Sequence, residues 1–226
     1  MTEDFSLQEL SRLRADFPIL GRVGRGGQAI AYLDFSATSQ KPTPVIEAIT
    51  DFYRSTNGAV HRGTHLLGDE STAAFEEGRS VLASFIGARA DEIVWTKNAT
   101  EAINLVALAI RNATGLGEST GNPLALAPGD RIVVTRAEHH ANLVPWQQLC
   151  QATGAELRWL DLHEDGRIDT GTLDVITERT RVLALTHASN VTGAISPLDL
   201  IVPRAQQVGA LVVLDTCQSA AHLPLD

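Results

Sequence analysis

The segment 211–218 contains the two residues of this sequence with the clearest chemical potential, Asp215 and Gln218. Its first four residues, Leu-Val-Val-Leu, are apolar and partly β-branched, which is typical of a buried parallel strand. Such a strand would place Asp215 at the carboxyl edge of the sheet, where open α/β sheets bind ligands. A carboxylate can keep a ring nitrogen protonated, and an amide can hydrogen-bond a ring hydroxyl. Asp215 and Gln218 therefore suit a heteroaromatic cofactor.

Polar segments also follow three earlier predicted strands. Thr100 opens a helix, and free amides at a helix start, together with its hydroxyl, could hold a phosphate; the alternative is an ordinary threonine cap. His139 could stack on a flat ring or move protons, or it could be a satisfied histidine. Asn190 lies in a segment that could equally be a simple strand-to-loop turn. Chance explains such groups at four successive strand ends poorly, so together they indicate a ligand site.

The elements that must position these residues alternate between strand and helix. This alternation predicts a mostly parallel, doubly wound α/β sheet with one long loop at 112–128. Four glycines between 21 and 27 precede a strand, which favours a turn over a phosphate cradle. We predict strands at 30–33, 92–96, 131–135, 156–160, 182–186 and 211–215. We predict helices near 6–16, 42–53, 72–85, 100–111, 142–153, 170–178 and 198–208.

Composition limits the classes of partner and location. The chain has 226 residues, of which 44% are hydrophobic and 20% are charged, and this suffices for a substantial core. Its net charge of -9 without any basic run argues against nucleic acid and anionic membranes as partners. The acidic start has no apolar signal core, and no apolar run approaches the roughly 18 residues that span a bilayer. We therefore expect a cytoplasmic protein.

Two other kinds of site are less favoured by the sequence. A zinc site could be built from His61, His65, His139 and His140, but these histidines lack a recognisable ligand spacing. A nicotinamide site would need a G-x-G-x-x-G motif after a strand, and the sequence has none. The two cysteines cannot form a disulfide framework or a metal knuckle.

At these motifs the chain resembles the pyridoxal-phosphate-dependent class V aminotransferases, and among them the Suf-type (group II) cysteine desulfurases. The motifs are specific in combination and extend over nearly the whole chain. The resemblance depends on residues 31–34, 39–42, 57–65, 100–106, 138–146, 186–193 and 215–218.

The resemblance implies a fold type I large domain that binds pyridoxal 5'-phosphate. Asp215 would pair with the pyridinium nitrogen, which keeps the ring an electron sink, and Gln218 would bond the ring hydroxyl. His139 would stack on the ring face. Asn190 would lie beside the ring hydroxyl and the substrate carboxylate.

The resemblance assigns roles to three further positions, and for Ala99 and His65 it is the only source of a role. Ala99 and Thr100 would hold the phosphate at a helix start, although many relatives have Thr where this chain has Ala99. His65 would lie near the substrate. The resemblance also divides the chain into an N-terminal helical arm and turn at 1–30 and a PLP-binding large domain at 31–226.

Members of this family continue into a Ser-x-His-Lys motif with the Schiff-base Lys, a loop Cys that attacks the substrate sulfur, and a carboxylate-binding Arg. None of these can be assigned here: the only lysines are Lys41 and Lys97, and neither Cys150 nor Cys217 matches the nucleophile. We therefore expect the incomplete large domain of a desulfurase that is inactive alone, with no assignable catalytic residue.

The whole enzyme would convert L-cysteine to L-alanine and an enzyme-bound persulfide for iron-sulfur cluster assembly. The resemblance also implies a homodimer and a sulfur-acceptor protein of the Suf system. Two alternatives stay open: another class V enzyme, such as a selenocysteine lyase or a kynureninase-like hydrolase, and a non-enzymatic split or degenerate module for binding or dimerisation.

Overall fold

The computed structural model describes residues 5–115 and 122–224 of the chain. The chain forms two compact units, Met1–Ile93 and Val94–Asp226. None of the helices in these described ranges is long and apolar enough to cross a membrane.

The first unit is built from helices and turns. Helix α1 begins at a capping box, in which the Ser6 amide donates to Glu9 Oε2 (2.8 Å) and the Glu9 amide donates to Ser6 Oγ (3.3 Å). The glycine-rich segment after α1 forms short 3₁₀ turns. The helices of this unit are α1 (Leu7–Ala15), α2 (Thr43–Asp51), which continues into a π-helical turn (Phe52–Thr56), and α3 (Leu66–Phe85).

Two predictions for the first unit are wrong. Helix α3 begins six residues before the predicted start at 72, because His65 caps it by accepting a hydrogen bond from the Gly68 amide (3.3 Å), although the apolar periodicity starts later. Residues 30–33 pair with no other strand of the described chain, and only a single bridge, Val23 to Ala29, lies beside them. Apolar composition favours an extended backbone, but a strand also needs an edge to pair with.

The second unit is a four-stranded parallel sheet with the order β2-β1-β3-β4. Helices cover both faces, so the predicted α/β class is confirmed. Its strands are β1 (Arg131–Thr135), β2 (Glu156–Leu160), β3 (Thr180–Thr186) and β4 (Leu211–Asp215). Its helices are α4 (Ala99–Gly115), α5 (Val144–Thr153) and α6 (Leu198–Gln207), with 3₁₀ turns at Ala90–Glu92 in the first unit and at His140–Asn142 and Thr170–Val175 in the second.

The alternation of side chains along β1 explains the two cores. Ile132 and Val134 face a cluster that includes Trp146 of α5. Val133 points to the opposite face, into a cluster that includes Ile201 of α6. All five of these side chains are fully buried, so the middle of the sheet is buried on both sides. This burial fixes the direction and register of the strands whose ends carry the polar residues.

Two predictions for this part of the chain are also wrong. Residues 93–96 are not in a ladder with any described strand, and residues 90–92 form a 3₁₀ turn. The predicted helix at 170–178 is a 3₁₀ turn that ends at Val175, started by the Asp169 carboxylate, which accepts from the Gly171 amide (2.8 Å). A short segment containing a glycine propagates an α-helix poorly. The predicted loop at 112–128 begins as helix up to Gly115, and its residues 116–121 lie outside the described ranges.

Candidate active site at the carboxyl edge of the sheet

The ends of three neighbouring strands meet at one edge because all four strands run in the same direction. Thr186, the last residue of β3, pairs with Asp215, the last residue of β4. The ladder continues by one bond, since the His187 amide donates to the Asp215 carbonyl (2.9 Å). Residue Thr135 ends β1 on the other side of β3. The structure thus brings the segments after β1, β3 and β4 to one place, as the sequence predicted.

The segment after β1 is tied together by the side chain of Glu138. Its Oε1 accepts from the Thr135 hydroxyl and from the Thr186 amide (2.9 Å), and its Oε2 accepts from Asn142 Nδ2 (2.6 Å). Asn142 in turn accepts from the indole of Trp146 (3.1 Å), a fully buried side chain of α5. One carboxyl group therefore joins β1, β3 and the helix start after them.

The environment of Glu138 makes its carboxyl group a weak acid. Burial raises the pKa of Glu138 to about 7, against the pKa-lowering effect of the hydrogen bonds from Thr135, Thr186 and Asn142; the charge of Asp215 raises it further. Glu138 thus changes charge near neutral pH, next to the acid at the end of β4.

His139 follows directly and is exposed. Its Nδ1 accepts from the Ala141 amide (3.1 Å), and its carbonyl accepts from the Asn142 amide (2.8 Å), so the ring is held at the start of a 3₁₀ turn. Because Nδ1 is an acceptor here, the proton of a neutral His139 lies on Nε2. The flat ring is available to a ligand at this edge.

The segment after β3 is a tight turn around Ser189. The Ser189 hydroxyl accepts from the amides of Val191 and Thr192 (both 3.2 Å), and the Ser189 amide donates to the Ala194 carbonyl (2.9 Å). Asn190 stands exposed in this turn. The hydroxyl and backbone bonds fix the loop without using the Asn190 side chain.

His139 and Asn190 line the same cavity, whose volume is about 480 Å³. That volume lies in the range of small-molecule sites, about 300–1,000 Å³. The far wall comes from a hairpin after β2, where Gly166 has a φ of +83° and a Cβ would lie 2.8 Å from Thr192 Cγ2. The lining consists of residues 136–140, Leu162, Gly166 and residues 189–192.

Asp215 ends β4 as a buried acid, 9% exposed. Its Oδ1 accepts from the Cys217 amide (3.0 Å), which shapes the turn after the strand. Gln218 is partly buried in that turn. Burial, followed by the charge of Asp215 and a hydrogen bond to it, raises the pKa of the Cys217 thiol to about 11.

The start of α4 offers amide donors. Asn98 Oδ1 accepts from the Glu101 amide (2.9 Å), and Glu101 Oε2 accepts from the Lys97 amide (2.6 Å). The amides of Ala99 and Thr100 have no acceptor among the residues that the structure describes. Orphan amides at the start of a 17-residue helix suit a phosphate group.

The structure places all six predicted cofactor residues in the second unit: Ala99, Thr100, His139, Asn190, Asp215 and Gln218. His65 lies in the first unit, where it caps α3, and its predicted closeness to the substrate stays a prediction. Among the described residues, no group of three or more His, Cys, Asp or Glu side chains is arranged to hold a metal ion.

Sequence reasoning missed Glu138 as a site residue. The signal was present, because Glu138 stands three residues after Thr135, the end of a predicted strand, as an acid directly before the two histidines. Its donors could not be read from the sequence, since Thr186 is 48 positions away along the chain.

The donor set fits pyridoxal phosphate: a buried acid for a ring nitrogen, an imidazole on a cavity, and orphan amides for a phosphate. A parallel sheet with helices on both faces and polar strand ends is the architecture of fold type I transferases. The chain belongs to the aminotransferase class-V family, whose model matches residues 31–226.

Its relatives and structural neighbours include proteins named as cysteine desulfurases. The chain is 51% identical over its whole length to "Probable cysteine desulfurase 2" of Mycobacterium leprae, covering 52% of that relative. It is 46% identical to "Probable cysteine desulfurase" of Streptomyces coelicolor, covering 53%. The apo cysteine desulfurase of Thermococcus onnurineus superposes on the whole chain with a TM-score of 0.84 at 34% identity, over 51% of its own length. The cysteine desulfurase CsdA of Escherichia coli superposes with a TM-score of 0.80 at 38% identity, and the match covers 99% of this chain and 52% of CsdA. The chain spans about half the length of the curated relatives it matches.

Proposed function

We propose that these 226 residues form the cofactor platform of a Suf-type cysteine desulfurase, which uses pyridoxal 5'-phosphate to convert L-cysteine to L-alanine. The sulfur passes to an enzyme cysteine as a persulfide and then to a sulfur-acceptor protein for iron-sulfur cluster assembly. The enzyme acts as a homodimer. The motifs Glu-His-His-Ala-Asn at 138–142 and His-Arg-Gly-x-His at 61–65 support the Suf type.

One observation carries this proposal: the ends of β1, β3 and β4 bring an imidazole, an amide and a buried acid to one sheet edge. His139 and Asn190 share a cavity, and Asp215 ends the strand next to the one that leads to Asn190. The names of the relatives support the substrate.

Each residue has a defined task in this proposal. Asp215 would accept a hydrogen bond from the protonated ring nitrogen and so keep that nitrogen charged, and Gln218 would donate to the ring hydroxyl. His139 covers one face of the ring, and Asn190 orients the substrate carboxylate. The amides of Ala99 and Thr100 bind the phosphate. Once bound, the cofactor supplies an electron sink for the carbanion at the substrate α-carbon.

The cysteines of this chain are poor candidates for the sulfur-accepting nucleophile. Burial raises the pKa of Cys150 to about 11, and the Cys150 side chain belongs to the core cluster around Trp146. The pKa of Cys217 is also about 11. Thiolates attack sulfur and thiols do not, so the raised pKa leaves both groups with a small thiolate fraction at neutral pH. Nor does Lys97 suit the Schiff-base role, since it lies before α4, near Glu101 (Nζ to Oε1, 3.7 Å).

A chimera tests the function. Residues 1–226 are joined to the unmatched remainder of the Mycobacterium leprae relative, and alanine and sulfide are measured with L-cysteine and a reductant. We expect turnover in the chimera, background in the same chimera with Asp215→Ala, and background in the 226-residue chain alone. A parallel assay with L-selenocysteine tests the lyase alternative. A folded chimera that binds the cofactor but releases no alanine would contradict the proposal.

A further inference from the structure

We propose that Glu138 is a positioning residue that fixes His139 for stacking on the cofactor ring, by locking the segment after β1 to the end of β3. This inference rests on the proposed function for its ligand. It goes beyond it by assigning a task to a side chain that touches neither the ring nor the substrate.

The first argument is the number of segments that Glu138 joins. Its two carboxyl oxygens accept three hydrogen bonds. The donors are Thr135 at the end of β1, Thr186 at the end of β3, and Asn142 at the end of the 3₁₀ turn. The Thr135 hydroxyl also accepts from the Ala137 amide (3.1 Å). The segment from 135 to 142 is thus closed on itself and attached to the neighbouring strand.

The second argument is the place of His139 inside this closed segment. Residues 138 and 142 bracket it, and the Glu138–Asn142 bond joins them across it. The His139 carbonyl accepts from the Asn142 amide, so a movement of Asn142 moves the backbone that carries the imidazole. Trp146 anchors Asn142 from below, because its indole donates to Asn142 Oδ1 and its ring is fully buried.

The third argument is the kind of group that the position requires. Asn142 Nδ2 and the Thr186 amide are both donors, and they face opposite oxygens of Glu138. A carboxylate presents acceptors on both sides, whereas a glutamine would place its NH₂ against one of the two donors. No basic side chain of the described residues bonds Glu138, and Arg136, which lines the same cavity, pairs with Asp161 instead. Glu138 is therefore bound by uncharged hydrogen-bond donors, as expected for a side chain that positions its neighbours.

The test exchanges the two partners. Glu138→Gln alone sets two donors against each other, whereas Glu138→Gln with Asn142→Asp restores a donor facing an acceptor and leaves an acceptor for the Trp146 indole. The net charge of the double variant equals that of Glu138 with Asn142. Glu178→Gln, at an exposed acid beside the opposite end of β3, is the matched control.

Two measurements are made on the 226-residue chain: the dissociation constant for pyridoxal phosphate by fluorescence titration, and hydrogen exchange of the amides at 139–142. We expect Glu138→Gln to weaken binding and to speed exchange about tenfold each, the loss of roughly one hydrogen bond to a charged group. The double variant should return both values to within about threefold of the original, and Glu178→Gln should change neither.

A core variant separates positioning from general stability. Ile201 lies in the second core cluster, away from this segment, and Ile201→Val should lower the stability of the fold without touching the Glu138 contacts. Equal losses of cofactor affinity in Ile201→Val and Glu138→Gln, or a double variant no better than Glu138→Gln, would overturn the proposal. If the original chain binds no cofactor, the proposed function fails, and unchanged exchange at 139–142 in Glu138→Gln would still overturn the role of Glu138.

Discussion

Two acids at the same sheet edge, Glu138 and Asp215, illustrate different uses of a buried carboxyl group. Glu138 has both oxygens bound by the protein, through Thr135, Asn142 and Thr186. Asp215 ends its strand, and its Oδ1 accepts from the amide two residues later. The first acid joins parts of the chain, whereas the second is held by its own turn and is suited to a ligand.

The two acids also affect each other. The charge of Asp215 adds to burial in raising the pKa of Glu138 to about 7. An acid that is neutral below this pH reduces the negative charge beside Asp215. The comparison therefore predicts different effects on stability and on binding when each acid is replaced.

The largest effect should be on stability as a function of pH. The pKa of Glu138 is raised from its ordinary value of 4.5 to about 7 in the folded chain, so the folded state binds more protons between these values. The free energy of unfolding should fall by about 3 kcal/mol as the pH rises from about 4.5 to about 7, through this group alone. Denaturant titrations of the original chain and of Glu138→Gln should show this loss only in the original.

Two variants sharpen that experiment. Asp215→Asn removes a charge that helps to raise the pKa of Glu138. The pH range over which stability falls should therefore end at a lower pH in this variant. Glu178→Gln replaces an exposed acid and should keep the original slope. The same slope in Glu138→Gln as in the original chain would contradict a raised pKa at Glu138.

The next effect concerns the acid that serves the ligand. Asp215→Asn should weaken binding of pyridoxal phosphate about tenfold to a hundredfold, because a hydrogen bond to a charged group contributes about 1.5–3 kcal/mol. The exchange of the amides at 139–142 should stay within about twofold, since Asp215 does not bond that segment. Asp174→Asn, at an exposed acid, is the control. Unchanged affinity would exclude Asp215 as the partner of the ring.

The sequence predicted the parts of this edge that local patterns determine. Apolar or alternating patterns identified the strands at 131–135, 156–160 and 211–215, and the structure confirms these bounds; β3 begins two residues before its predicted start. The polar residues after each run are where a parallel sheet collects them.

The two failed strand predictions and the missed role of Glu138 share one physical cause, dependence on distant partners. Residues 30–33 and 93–96 have strand-like composition, but they pair with no strand in the described ranges. Glu138 was recognisable as an acid near a strand end, yet its donors lie on separate elements. A sequence pattern indicates which element carries a side chain, whereas the hydrogen-bond partners of that side chain depend on how the elements pack.

A smaller effect on stability and exchange is expected at Trp146, whose indole donates to Asn142. Trp146→Phe removes the indole donor to Asn142 and part of a fully buried side chain, so it should lower stability by about 1–2 kcal/mol. Exchange at 139–142 should rise less than in Glu138→Gln, because Glu138 still holds Asn142. Trp159→Phe is the matched control, at a partly buried ring on β2 over which Arg136 lies at 5.4 Å. A loss in Trp159→Phe equal to that in Trp146→Phe would contradict the role of the Asn142 bond.

The smallest effect tests what Asp215 does to its neighbour. Because the pKa of Cys217 is about 11, its alkylation by iodoacetamide should rise about tenfold per pH unit from pH 8 to pH 10, following the thiolate fraction. Asp215→Asn removes the charge that, after burial, raises this pKa, and should speed alkylation at pH 8 by a few-fold, whereas Glu138→Gln should not. Cys150→Ala in every sample leaves Cys217 as the only thiol. A rate that levels off below pH 9 would contradict a raised pKa at Cys217. An equal increase in both variants would show that Asp215 has no specific effect on the turn after β4, and this would remove one argument for assigning Asp215 to the ligand.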